Sequence, residues 1–125
     1  MKKFLLALLA FISISCPAFA SDWVYLGDNQ NDEPAYLDRA SIVKSYGITA
    51  GWMKSILPDG GKVLYNISAR ESDRSIAVVS CVVYDTEGKV IGQYTSPIPA
   101  YNPVVPDSLG EVIYNFLMEN AKSNV

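Results

Sequence analysis

The chain has 125 residues, no histidine, and only two cysteines, Cys16 and Cys81. Without an imidazole it cannot form a Ser-His-Asp triad, a histidine metal site or a histidine pH switch. A P-loop, a nucleophile elbow and Cys-x-x-Cys pairs are also missing from the sequence. A hydrolase with paired acidic residues stays as an alternative, although most acidic residues fall in predicted turns. The sequence therefore predicts a protein that is not an enzyme and holds no metal or cofactor.

The longest apolar run is only nine residues, 4–12, and lies near the N-terminus. A membrane-spanning helix needs about 20 apolar residues, so we expect no transmembrane segment. Two lysines precede this run, and an AFA motif that ends at Ala20 follows it. That order is typical of a secretory signal cleaved between Ala20 and Ser21. The sequence predicts a signal peptide over residues 1–20 and a single domain over residues 21–125.

Lipoprotein processing is the alternative for this leader, with Cys16 as the lipidated residue. A lipidation box places small residues before the cysteine, usually headed by leucine, whereas here the three residues read SIS and Pro17 follows. Cleavage after Ala20 would remove Cys16 and leave Cys81 without a partner in its own chain. Cys81 lies in an apolar run, so we interpret it as a buried core thiol, with a free reactive or intermolecular thiol as the alternative.

Positive charge is scarce in the predicted mature chain. Removal of the leader takes two of the ten basic residues and none of the 13 acidic ones. Nucleic-acid binding depends on neutralising phosphates with lysine and arginine, so this balance argues against a nucleic-acid partner. It also argues against passive adhesion to anionic lipid.

Short β-rich runs alternate with turn signals over most of the remaining chain, which predicts antiparallel strands. These runs cover residues 23–26, 35–37, 42–44, 48–57, 63–69, 76–84 and 89–94. Residues 76–84 are apolar on both faces, which favours a position in the middle of the sheet. Residues 95–106 carry four prolines and therefore predict an extended linker and not a strand.

A capping box at Ser108 and Glu111 predicts the start of a helix that runs to about Lys122. Its apolar stripe has helical spacing and consists of Leu109, Val112, Ile113, Phe116 and Leu117. The predicted fold class is α+β, a single antiparallel sheet of five to six strands with one C-terminal α-helix packed on it.

Aromatic residues are plentiful, with eight tyrosines and two tryptophans. Tyr94 and Tyr101 flank or lie in the proline-rich linker, and tyrosine offers a large contact area with a polar tip. We therefore name these two as candidate partner contacts, with packing over the sheet edge as the alternative. Core or sheet-face positions are the simplest interpretation for Trp23, Trp52, Tyr65 and Tyr84.

In order and spacing the chain resembles the surface-adhesin protein E-like family of Gram-negative bacteria. The matching pieces are DWVY at 22–25, AYLD at 35–38 with SI at 41–42, YD at 84–85 with GKVI at 88–91, and YNPVVPDSLGE at 101–111. The chain departs from the family in its cysteines. The family usually bridges a cysteine early in the strand at 76–84 to one in the helix, whereas Cys81 lies late in that strand. Tyr101 stands where a tryptophan is common.

This resemblance implies an antiparallel sheet with a C-terminal helix, frequent self-association and no catalytic activity. It also implies adhesion to host extracellular-matrix glycoproteins for some members. The sequence thus predicts a secreted, non-enzymatic binding protein, periplasmic or at the cell surface, with a protein partner such as a matrix glycoprotein. The alternative is a structural or self-associating periplasmic component, for example a homodimer, with no host ligand.

Overall fold

A nine-stranded sheet and one α-helix make up the part of the chain that the computed structural model describes, residues 20–123. The strands are β1 (Trp23–Asp28), β2 (Pro34–Asp38), β3 (Val43–Ser45), β4 (Ile48–Ile56), β5 (Lys62–Arg70), β6 (Ser75–Tyr84), β7 (Val90–Thr95), β8 (Asn102–Pro103) and β9 (Lys122–Ser123). The helix α1 spans Leu109–Glu119.

Six strands follow one another across the curled sheet in the order β1-β2-β4-β5-β6-β7, all antiparallel to their neighbours. The three short strands are added outside this path: β3 pairs with β4, β8 with β6, and β9 with β3 in parallel. The predicted antiparallel sheet with a C-terminal helix is confirmed. The observed number of strands exceeds the predicted five to six. The extra strands are the short segments β3, β8 and β9, which pair with parts of β4, β6 and β3, respectively.

The β6–β7 turn and the β2–β3 corner lie where the sequence predicted them, and aspartate side chains stabilise both through hydrogen bonds to nearby backbone N–H groups. In the β6–β7 turn, the Asp85 carboxylate accepts hydrogen bonds of 2.9 Å from the backbone N–H groups of Glu87 and Lys89. Gly88 takes a φ of 82°, a left-handed conformation that favours glycine. At the β2–β3 corner, Asp38 accepts from the Ala40 N–H at 3.1 Å and begins a single 3₁₀ turn, Arg39–Ser41.

The helix covers one face of the sheet, which we call the inner face, and the core lies between them. Its buried members are Ala35, Leu37, Ile42, Met53, Ile67 and Ala69 from the sheet region and Ile113, Tyr114 and Leu117 from α1. Gly51 lets the helix approach β4, because a Cβ atom there would lie 3.1 Å from Leu117 Cδ2. Period-two alternation correctly placed Ile67 and Ala69 on this face.

The helix differs from its prediction at its end and in its buried stripe. It ends at Glu119, where the Asn120 N–H still bonds to the Phe116 carbonyl, and Lys122 belongs to β9. Val112 is exposed, whereas Tyr114 is buried and packs its ring over the Arg74 guanidinium at 4.8 Å. The Arg74 guanidinium is thus a cation–π partner for the Tyr114 ring. The spacing of apolar residues along the helix did not indicate this contact.

The linker prediction for residues 95–106 is wrong at one point, because Asn102 and Pro103 form β8. β7 pairs with β6 only from Ser80 onward, so the start of β6 keeps an open edge that β8 occupies. Pro103 can lie there because an outer strand need not donate on both sides. β6 itself is second from the end of the main path, and most of its residues are half-buried.

Candidate functional site

The two tyrosines predicted to contact a partner lie at separate places. Tyr94 is 63% exposed on β7, where it pairs with Cys81. Tyr101 is half-buried and directly precedes β8, which pairs with the far end of β6 at Ile76. The structure therefore keeps Tyr94 as a surface contact candidate and does not join Tyr101 to it.

Tyr101 packs against an arginine that is itself held in place. The Arg70 guanidinium lies 4.3 Å from the Tyr101 ring centroid, and Asp73 accepts two hydrogen bonds from that guanidinium at 2.7 and 3.1 Å. Hydrogen bonds from Arg70 and from the Ser75 hydroxyl lower the pKa of Asp73 to about 2. This arrangement fits the alternative in which Tyr101 packs over the sheet.

Cys81 is half-buried and free among the described residues. It pairs with Tyr65 on one side and Tyr94 on the other, and it lies outside the core cluster under α1. The interpretation as a buried core thiol is therefore too strong, because this end of β6 is not covered by the helix. Ala20 and Ser21 are exposed at the start of the described chain, and Cys16 lies outside the described residues.

The outer edge of the sheet at β7 is the first candidate surface, and we call it the β7 edge. β7 pairs with β6 on one side, and its sequence VIGQYT contains no charged residue and no proline. Its exposed apolar side chains, with Ile98 just beyond the strand, are Val90, Ile91, Tyr94 and Ile98. A bulge near Ile91 is the one irregularity in its pairing with β6.

The sheet face opposite α1 is the second candidate surface, and we call it the aromatic face. Its rings are those of Trp23, Tyr25, Tyr36, Trp52 and Tyr84. The Lys54 ammonium lies 4.4 Å from the Trp23 ring centroid and 5.4 Å from that of Tyr36. The alternation in β4 predicted that Trp52 and Lys54 share a face, but it could not show that β1 and β6 bring further rings beside them.

A groove of about 760 Å³ lies between the β1–β2 turn and the start of α1. Its lining mixes the polar turn residues Asp28 to Asn31 with Ser108, Gly110 and apolar side chains. Across residues 20–123, no three His, Cys, Asp or Glu side chains cluster closely enough to hold a metal ion. In the same part of the chain, no helix is long and apolar enough to cross a membrane.

Comparison with known proteins adds no relative: no family model, curated protein or solved structure matches the chain. The fold defines a class, a mostly antiparallel sheet covered on one face by a C-terminal helix. The functional argument therefore depends on the β7 edge and the aromatic face.

Proposed function

We propose that this chain is a secreted, non-enzymatic binding protein of the bacterial envelope that contacts a protein partner through the β7 edge. The observation that carries the proposal is an outer strand with exposed apolar side chains and no charge or proline of its own. The leader and the family resemblance support the envelope location, and the resemblance suggests a matrix glycoprotein as partner.

An edge strand of this kind can accept an added strand. Only one side of β7 is hydrogen-bonded to β6, so backbone N–H and C=O groups face outward along about 20 Å of strand. Native proteins usually protect such edges with lysine, proline or bulges, and of these β7 has a single bulge. In strand addition the backbone supplies affinity and side chains supply specificity, and the exposed Ile91 and Tyr94 are available here for that second role.

Two substitutions that add a positive charge to the β7 edge test this proposal. Ile91→Lys and Tyr94→Lys each place a charge on the β7 edge, and we expect binding to immobilised matrix glycoproteins or envelope extract to weaken at least about tenfold, or about 1.4 kcal/mol. Val112→Lys is the matched control, because Val112 is also exposed but lies on α1. Surface plasmon resonance would measure the difference.

Two results would contradict the proposal. One is a soluble domain that retains no protein partner from either source. The other is a set of three lysine variants that bind as tightly as the wild type, because binding would then not involve the β7 edge.

Self-association is the second candidate function, and the uncharged β7 edge favours it. Two copies related by a two-fold axis could pair β7 with β7 without placing like charges opposite each other. The same surface would then serve a structural or self-assembling component of the envelope with no host ligand.

A further inference from the structure

The aromatic face is a sheet surface that no other described element covers. Helix α1 packs on the inner face. On the aromatic face Tyr25 is exposed, and the other four rings are half-buried. Trp23, Trp52 and Tyr84 line a shallow groove of about 290 Å³ together with Leu64 and Val82. That volume is close to the lower limit of about 300 Å³ for small-molecule sites, so it fits one or two rings of a ligand.

Two lysines on this face rest on aromatic rings and not on carboxylates. Lys54 lies over Trp23 and Tyr36, and the Lys62 ammonium lies 5.0 Å from the Tyr84 ring centroid. Among the described residues, neither ammonium forms an ion pair, although Lys44 and two arginines do. The lysine charges are thus available to an incoming anion, which is a stronger partner than a ring.

The lysines also influence each other. Desolvation, followed by the charge of Lys62, lowers the pKa of Lys54, while the charge of Asp38 acts in the opposite direction. Asp38 is a groove-lining acid, but its Oδ1 atom already accepts backbone hydrogen bonds from Asp22 and Ala40. The strand register places Asp38 beside its pairing partner Trp23 and Lys62 beside Tyr84. Asp38 therefore lies closer to Trp23 than to Lys62.

From these contacts we infer that the aromatic face binds an anionic saccharide, with sugar rings stacked on Trp23, Trp52 and Tyr84 and an acidic group held by Lys54 and Lys62. The C–H groups of a sugar ring carry partial positive charge, which suits the negative faces of aromatic rings. The ring hydroxyls can remain in water above an open groove. This site is distinct from the β7 edge and does not depend on the function proposed there.

The chemistry of the face argues against the other occupants. Backbone groups in the middle of a sheet are already paired with neighbouring strands, so an extended peptide would find no partners there for its own N–H and C=O groups. A second copy packed face to face about a two-fold axis would bring both lysine pairs toward each other, which like-charge repulsion opposes.

Calorimetric titration of the mature chain with galacturonate hexamers and with chondroitin sulfate hexamers tests the inference. We expect at least one to bind, with affinity that falls as salt rises. We expect at least a tenfold loss in the double variant Lys54→Met, Lys62→Met and in Trp52→Leu. Lys89→Met is the matched control, because Lys89 lies exposed in the β6–β7 turn, and it should change affinity less than twofold.

The methyl-esterified galacturonate hexamer has the same rings without the charge, and poly-L-glutamate has the charge without the rings. The inference predicts weak binding for both. It is overturned if neither anionic saccharide binds, if the esterified hexamer binds as tightly as the acid, or if the lysine double variant binds like the wild type. Tighter binding of poly-L-glutamate, lost in the same variant, would overturn the saccharide assignment in favour of an acidic peptide.

Discussion

Asp38 connects three segments of the chain at one corner of the sheet. Its Oδ1 atom accepts hydrogen bonds from the backbone N–H groups of Asp22 and Ala40 at 2.7 and 3.1 Å. Its carbonyl accepts from the Ser41 hydroxyl, which in turn accepts from the Trp52 N–H at 2.9 Å. With 8% of its surface exposed, this carboxylate is a buried acceptor for two partly buried backbone N–H groups.

We expect Asp38→Ala to lower the free energy of unfolding by about 2 kcal/mol, because two backbone donors lose their acceptor. Asp38→Asn keeps an acceptor oxygen and should cost about half as much. Glu87→Ala, an exposed acid in the β6–β7 turn, should stay within about 0.5 kcal/mol of the wild type. Urea denaturation followed by far-ultraviolet circular dichroism measures all three, and equal values for the alanine variants would refute this role.

The sequence indicated part of this residue's role. Aspartate and serine close together predicted the tight corner, since both side chains bond to nearby backbone groups. The bond from Asp22 is not local, because β1 must first pair with β2 to bring that N–H beside Asp38. Residue-scale interactions across strands depend on register, which no short stretch of sequence contains.

At the scale of elements, the contact between α1 and β4 determines how closely the helix approaches the sheet. Gly51 faces Leu117, Ile42 and Leu37, all fully buried, at 3.1 to 3.4 Å from where a Cβ atom would lie. A side chain at this position would push into an interior that has little room to move.

We therefore expect Gly51→Val to destabilise the protein by about 1–3 kcal/mol through overpacking. Gly92→Val is the matched control in a strand of the same sheet, because the nearest atoms to its Cβ belong to Val83 at 3.7 Å. The control should change the unfolding free energy by less than about 0.5 kcal/mol. Thermal and urea denaturation would measure both, and a neutral Gly51→Val would show that the helix packs more loosely than described.

Local signals predicted where elements begin better than where they end. The capping box correctly predicted the start of α1. The Ser108 hydroxyl accepts a hydrogen bond from the Glu111 N–H at 3.2 Å, and the Glu111 carboxylate accepts one from the backbone N–H of Asp107 at 3.3 Å. The end of α1 and the existence of β8 depend on pairing with distant strands, β3 and β6. Such non-local pairing explains why the sequence predicted a longer helix and an unpaired linker.

At the scale of the whole molecule, the sheet presents two surfaces of different chemistry, an apolar edge and a cationic aromatic face. The sequence identified Tyr94 but not the edge around it, because exposure of β7 follows from the strand order. It likewise identified Trp23, Trp52 and Tyr84 without showing that they meet. Both surfaces are products of topology, built from residues far apart in the chain.

Self-pairing at the β7 edge predicts reversible dimers that do not depend on the thiol. In a symmetric β7–β7 pair the two Cys81 residues, each one strand inward, would be about 14 Å apart, too far for a disulfide. Light scattering after size exclusion should show dimers at high concentration, with and without reductant, and monomers for Ile91→Lys. A wild type that is strictly monomeric in both buffers, or dimers that reductant dissolves, would contradict this mode of association.

The aromatic face has one further consequence, for spectroscopy. Both tryptophans of the chain, Trp23 and Trp52, lie on the side of the sheet away from α1. Tryptophan fluorescence, excited selectively over tyrosine, therefore reports the solvent exposure of that side alone. A partly unfolded state in which the helix has detached would keep much of its native emission, while the signal of the buried Tyr114 in near-ultraviolet dichroism would disappear. The two optical probes together distinguish loss of the helix from loss of the sheet.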